Sequence, residues 1–140
     1  MRENKFTRLE VGIVAVVLCA ISAITLPKFS QAGTDDRLDT LCSNLQLVRS
    51  KLSLYRIQHQ YQWPRQATFA AQLTSATNAQ GTTDAADGPL VFMPYLKSIP
   101  VNPFTGGNAI TGGDWSYDET TGRFTADDGG ATEGIVHKNL

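Results

Sequence analysis

Glu10 is the residue whose position most needs a reason. It stands one place before an uncharged apolar run, Val11 to Leu26, that is 16 residues long and closes at Pro27. A carboxylate at the centre of a membrane helix costs about 2.5 to 3.5 kcal/mol, and less near the helix end. Such a residue either snorkels to the headgroups beside Arg8 or is retained for a use that offsets its cost. The other groups with chemical potential are scattered. Asp114, Asp118, Asp127, Asp128 and Glu133 gather late in the chain among glycines, without the spacing of a calcium loop. His59 and His137 lie far apart with no cysteine or acid at ligand spacing, so both are expected to face solvent. The sequence carries no nucleophile elbow, phosphate-binding loop or paired-carboxylate cleft, and no enzymatic activity is expected.

The run that follows Glu10 is slightly shorter than the roughly 18 to 20 residues of a self-sufficient membrane helix. Phe6, Leu9 and the stem of Lys28 bring it to spanning length. Arg2, Lys5 and Arg8 precede it against a single Glu3, whereas Lys28 and then Asp35 and Asp36 follow it. That asymmetry predicts a cytoplasmic N-terminus with everything after Pro27 outside. An ordinary signal peptide is the competing reading, with Ser30 and Ala32 as small residues before a cut at Gly33. Glu10 and the long stretch between Pro27 and that site weigh against it. The remaining chain is enough for one small domain of about 80 to 105 residues. A net charge of −1 with dispersed cations gives no footprint for nucleic acid. Cys19 and Cys42 are 23 residues apart on one predicted helical stretch, about 35 Å, and cannot pair within a chain.

After Pro27 the pattern is helical again. Inside a helix Pro27 removes a hydrogen bond and crowds the Ala23 carbonyl, so a kinked continuous helix is expected rather than one that stops and restarts at Thr34 or Asp35. Leu38, Leu41, Leu45, Val48, Leu52 and Tyr55 are spaced 3, 4, 3, 4 and 3, an unbroken apolar seam. Leu47, Leu54, Ile57 and Tyr61 fall on roughly the opposite side. A head folded around the helix would cover both stripes; the expectation here is that one stripe is shared with neighbouring chains. Trp63-Pro64 ends the helical pattern, and a short helical turn is predicted around Phe69 and Leu73. Residues 74 to 88 read as a polar surface loop, and 89 to 107 as an extended, proline-punctuated path pressed onto a surface. A hairpin follows, with Trp115 and Tyr117 on one strand, a turn at Thr121-Gly122, and Phe124 on the return. The fold class is therefore α+β, a long N-terminal helix packed against a small antiparallel sheet. Leu45, Val48, Leu52, Trp115, Tyr117 and Phe124 form the predicted core of the head.

The segment "FTRLEVGIVAVVLCAISAITLPKF" resembles the N-terminus of type IV pilins and of the pseudopilins of type II secretion systems, with Phe6, Thr7, Glu10 and Pro27 at the matching positions. "YLKSIPVNPFTGG" followed by "WSYDETTGRF" is similar to the C-terminal half of the major-pseudopilin head. The resemblance covers nearly the whole chain except the 74 to 88 loop and the last ten or so residues. It implies a leader at 1–5, a membrane and assembly helix at 6–29, a soluble half of that helix at 30–62 and a pilin-like head at 63–140.

The resemblance further implies a structural subunit of a short periplasmic pseudopilus that drives type II protein secretion from the bacterial inner membrane. Its close variant is a pilin of a surface or DNA-uptake pilus. Surface pilins usually close a C-terminal loop with two cysteines, and none follows Cys42. The implied partners are a homo-oligomeric helical filament, prepilin peptidase and an inner-membrane assembly platform. Glu10 would pair with the α-amino group of the next subunit, exposed by a cut between Lys5 and Phe6 and N-methylated at Phe6. An amine with a reference pKa of about 7.7 to 8.0 is largely cationic at neutral pH, and the pairing in low dielectric sets axial register. Lys5 departs from the family, where a small residue, normally glycine, precedes the bond. Either the cut occurs despite Lys5, or the leader stays and the chain is an unprocessed single-pass anchor with a periplasmic docking head. Cys19 stands where relatives often have a helix-loosening glycine. Related heads bind calcium in a C-terminal loop, which makes Asp127 and Asp128 weak candidate ligands; no metal or other cofactor is otherwise expected.

Overall fold

The computed structural model describes the backbone from Arg8 to Leu140, and the side chains from Gly33 onward together with Ile13. Lys5 and Phe6 lie outside the described residues, as do the side chains of Glu10, Cys19 and Pro27. Helix α1 spans Arg8–Gln58, and its helical backbone continues through Pro27 rather than stopping and restarting near Thr34. The chain divides into two compact units, Met1–Asp36 and Arg37–Leu140. Among the described residues no helix is long and apolar enough to cross a membrane, and the side chains of the Val11 to Leu26 run are not among those residues.

In the second unit the 3–4 seam of α1 carries the core. Leu41, Leu45, Val48, Leu52 and Tyr55 are fully buried, with Leu38 packed at the margin. Full burial of a side chain of this kind is worth about 1.5 to 3 kcal/mol. The helix stops at Gln58 rather than running to residue 62. Gln60 and Tyr61 take left-handed backbone, φ 55° and 62°, and the Tyr61 N–H turns back to the Arg56 carbonyl at 2.8 Å. That six-to-one bond caps carbonyls that the helix leaves unpaired, so a C-cap ends α1 before Pro64 is reached.

The short helix α2, Phe69–Thr74, adds Phe69 and Leu73 to the same core. Strands β1, Trp115–Asp118, and β2, Arg123–Ala126, pair antiparallel with Tyr117 opposite Phe124. The Phe69 ring lies 4.3 Å from Tyr117 and 5.8 Å from Phe124, and Trp115 sits 5.1 Å from Phe124. Two four-residue strands are not stable alone, and polar anchors fasten this pair to the irregular chain beside it. The Trp115 indole N–H donates to the Pro100 carbonyl at 2.9 Å, and the Tyr117 hydroxyl to the Pro64 carbonyl at 2.8 Å. Arg49 reaches from α1 and donates twice to the Phe124 carbonyl, at 2.8 and 2.9 Å. At the turn, Gly122 has φ +73° and lies under the Trp63 ring, where a Cβ would collide.

From residue 89 onward the chain is extended without a long strand, as the prolines predict, and it buries Tyr95, Leu96 and Ile99. The stretch at 74 to 88 is more than a surface loop. Thr77 pairs with Phe92 across an isolated bridge, and Asn78 is fully buried. The Asn78 side chain accepts from the N–H groups of Gln80 and Thr82 and donates to Thr82 Oγ1 and the Asp87 carbonyl. One buried amide thus supplies the hydrogen bonds that this loop's backbone lacks. The last strands, β3 Ala131–Thr132 and β4 Ile135–Val136, form a second hairpin that periodicity did not predict.

Because Trp115 is both fully buried and hydrogen-bonded, Trp115→Ala should remove about 3 to 5 kcal/mol, most of the stability of a domain this small. Thermal unfolding of an Arg37–Leu140 fragment is expected to show a large drop in Tm. An unchanged Tm would mean the hairpin is peripheral.

Candidate functional site

Three features outside the core lie within the Arg37–Leu140 unit. The first is the second stripe of α1. Leu47 and Leu54 are exposed, and Ile57 and Tyr61 retain 66% and 70% of their accessible surface. The head therefore covers one face of the helix and leaves the other bare. Beside Leu54 runs a shallow groove of about 340 Å³, walled by Val91, Met93, Pro94 and Tyr95 and by Gln58 and Lys51 of the helix. Val91 and Met93 are themselves exposed, so the bare apolar surface extends from α1 onto the chain beside it.

The second feature is a polar bowl of about 670 Å³ where α1 ends, lined among others by Arg56, Tyr61, Trp63, Arg65 and Glu119. The Arg56 guanidinium lies 4.7 Å over the Trp63 ring and 5.7 Å from that of Tyr61, and makes a long hydrogen bond to the Tyr61 carbonyl at 3.4 Å. His59, expected in solvent, is instead buried in the wall behind. Its Nδ1 donates to the Tyr55 carbonyl at 2.9 Å, which fixes the tautomer, and Nε2 accepts from Thr77 Oγ1 at 3.1 Å. Its ring stacks on Tyr55 at 3.8 Å. Four residues beyond Tyr55, His59 continues the apolar seam as one more buried position. Burial, then the neighbouring Tyr95, pushes the Tyr55 phenol up to about 12. Burial likewise raises Tyr117, so both hydroxyls stay neutral.

The third feature gathers the late acidic residues. Asp114 accepts from the Ala109 N–H and Asp118 caps its own turn through Thr120 and Thr121. Glu133 is exposed, and Asp127 is tied only through its main chain, to Asp114. Asp128 is the one that converges with others. His137, also expected in solvent, is 1% exposed and places Nδ1 3.0 Å from both Asp128 oxygens, with Nε2 2.9 Å from Thr132 Oγ1. Asp128 also accepts from the Gly130 N–H at 2.8 Å and the Asn102 amide at 3.2 Å. The Phe104 ring packs on His137 at 4.2 Å. Asn102, fully buried, bonds onward to the Asp114 carbonyl and the Phe104 N–H.

This clasp bears on the calcium expectation. The groups facing Asp128 are donors, an arrangement suited to a carboxylate and opposed to a cation, so Asp128 as held here does not fit a calcium ligand. Among the described residues no three His, Cys, Asp or Glu side chains form a metal-holding group. The six predicted core residues, Leu45, Val48, Leu52, Trp115, Tyr117 and Phe124, are all buried in one cluster. Cys42, half-buried, is a free thiol. Comparison of the chain with protein-family models, with curated proteins and with solved structures finds no match.

Burial pushes the Asp128 carboxyl up, but the Gly130, His137 and Asn102 hydrogen bonds outweigh it and hold the group below its ordinary value. A carboxylate lowered in the folded state stabilises above its unfolded pKa, about 3.9, and that contribution is lost as pH falls through the lower folded value. The Tm difference between wild type and Asp128→Asn is expected to be full at neutral pH and to shrink in acid below pH 4. A difference constant down to pH 2 would contradict this.

Proposed function

We propose that this chain is a structural subunit of a pilin-like filament: a pseudopilin held in the bacterial inner membrane, with its N-terminus in the cytoplasm and its head in the periplasm, assembled into a short pseudopilus for type II secretion. The observation that carries this reading is the unequal treatment of the two stripes of α1. Leu41, Leu45, Val48, Leu52 and Tyr55 are sealed by the head, while Leu47, Leu54, Ile57 and Tyr61 are left in water. Full burial of such a side chain is worth about 1.5 to 3 kcal/mol, and covering the part each still exposes gains a fraction of that, so a neighbouring copy of the same helix is a favourable occupant. The Glu10 motif before the apolar run supports the same reading, because a filament offers that carboxylate a cationic partner.

A second reading rests on Lys5. If the bond before Phe6 is never cut, no new amine forms and the chain is a single-pass anchored head that does not polymerise.

Two experiments separate these outcomes. Glu10→Ala is expected to leave the chain inserted and the head folded while filaments disappear from an overproducing strain; a normal filament yield would remove Glu10 from assembly. With co-expressed peptidase, a mobility shift of five residues is expected for wild type and, faster, for Lys5→Gly. No shift in either would favour the anchored head.

A further inference from the structure

Three non-glycine residues among those described adopt left-handed backbone: Gln60, Tyr61 and Glu133. Gln60 is accounted for by the C-cap of α1, where this conformation is habitual. Tyr61, φ 62°, follows it in the same cap, and Glu133, φ 52°, stands in a hairpin turn, each where its residue type is an unusual choice. Glu133 and Gly134, φ 83°, make the two-residue turn joining β3 to β4, a place where asparagine or glycine is favoured in the first position. A bulky residue held in such a conformation is strained, and strain of this kind gathers where a side chain is used. Both side chains are exposed.

The surfaces around these two residues are complementary. Tyr61 stands on the rim of the bowl with Ile57 exposed one turn before it. Arg56 and Arg65 line that bowl, both exposed, and among the described residues neither forms an ion pair; the pair present is His137 with Asp128. The carboxylate in the bowl, Glu119, already accepts from the Gln66 N–H at 2.6 Å. On the hairpin, Glu133 is the sole charge in residues 131 to 136, and Ile135 and Val136 beside it are exposed. One surface thus offers two unpaired guanidiniums bordered by Tyr61 and Ile57, and the other a carboxylate bordered by two branched aliphatic side chains.

The surfaces are also displaced along α1. His137, which follows the hairpin, packs on Phe104, and Leu140 beyond it is bonded by Arg49 of α1 at 2.6 Å. The bowl lies around Arg56, seven residues beyond Arg49 on the helix, which is about 10 Å of rise. Complementary patches set apart on one chain suit a head-to-tail contact, which propagates where its rotation does not close a ring.

We propose that the bowl at the end of α1 receives the Glu133–Val136 hairpin tip of a second copy of this chain, Glu133 between Arg56 and Arg65 and Ile135 against Ile57 and Tyr61. This deepens the filament reading and rests on it for its setting, but its test does not need filaments.

Two differently tagged full-length copies, both Cys19→Ser and Cys42→Ser, carry Gln62→Cys in one and Val136→Cys in the other. Mild oxidation of membranes containing both should yield the mixed disulfide dimer. Arg65→Glu, which leaves the Arg56 stack on Trp63 intact, should lower its yield roughly tenfold, the scale of losing a close interfacial charge pair. Adding Glu133→Arg to the partner should restore it. Absence of the mixed dimer, or a yield indifferent to these charges, overturns the proposal. Normal filaments from the charge variants also overturn it while leaving the filament reading in place. A charge-dependent dimer in cells that make no filaments supports it and removes that reading instead.

Discussion

The Arg37–Leu140 unit hangs on one stripe of one helix. Helix α2, the β1–β2 hairpin and the extended path through Tyr95, Leu96 and Ile99 are all packed on the seam from Leu41 to Tyr55. None of these pieces is stable alone: the strands are four residues long and α2 is six. A small head can close over only one side of a helix, and this head spends three of its largest fully buried side chains, Trp115, Phe69 and Phe124, on that side. The bare second stripe is a consequence of the same economy of size.

Polar side chains do what regular secondary structure does elsewhere. Asn78, Asn102 and Arg49 each satisfy backbone groups from separate stretches of chain, and no buried side-chain nitrogen or oxygen is left without a partner among the described residues. Arg49 is the farthest-reaching, bonding to the Phe124 carbonyl and to the main-chain oxygen of Leu140 at 2.6 Å. Burial, and then the nearby Arg123, lower its pKa from the usual arginine value, and a guanidinium still stays charged, so its donors must find acceptors. The clasp at Asp128 and His137 closes the far end by the same logic. Irregular chain is tolerable here because each turn has a named donor or acceptor behind it.

Much of this was legible in the sequence, for physical reasons that differ by element. The seam could be read because 3–4 spacing is a property of the helix itself, and the first hairpin because alternation around Thr121-Gly122 is a property of strands. The end of α1 could not, since left-handed caps at glutamine and tyrosine break the usual residue preference; Pro64 was the louder signal. His59 and His137 were misplaced because burial of an imidazole depends on partners brought from afar, Thr77 in one instance and Asp128 with Thr132 in the other. The β3–β4 hairpin did carry a local signal, Glu-Gly between Ala-Thr and Ile-Val, too short to weigh against a glycine-rich background. Of the residues on which the assembly reading first rested, Lys5, Phe6, Glu10 and Pro27 are known from their types and spacing alone.

The proposed filament requires neighbouring copies to cover the second stripe of α1. The direct measurement of that cover is the rate at which Leu54→Cys, in a chain carrying Cys19→Ser and Cys42→Ser, reacts with a water-soluble maleimide. Fast labelling of dispersed subunits, as for an exposed thiol, and strong protection in assembled material from the same cells are expected. Equal, fast labelling in both states would show that the stripe stays in water and that no neighbouring copy covers it.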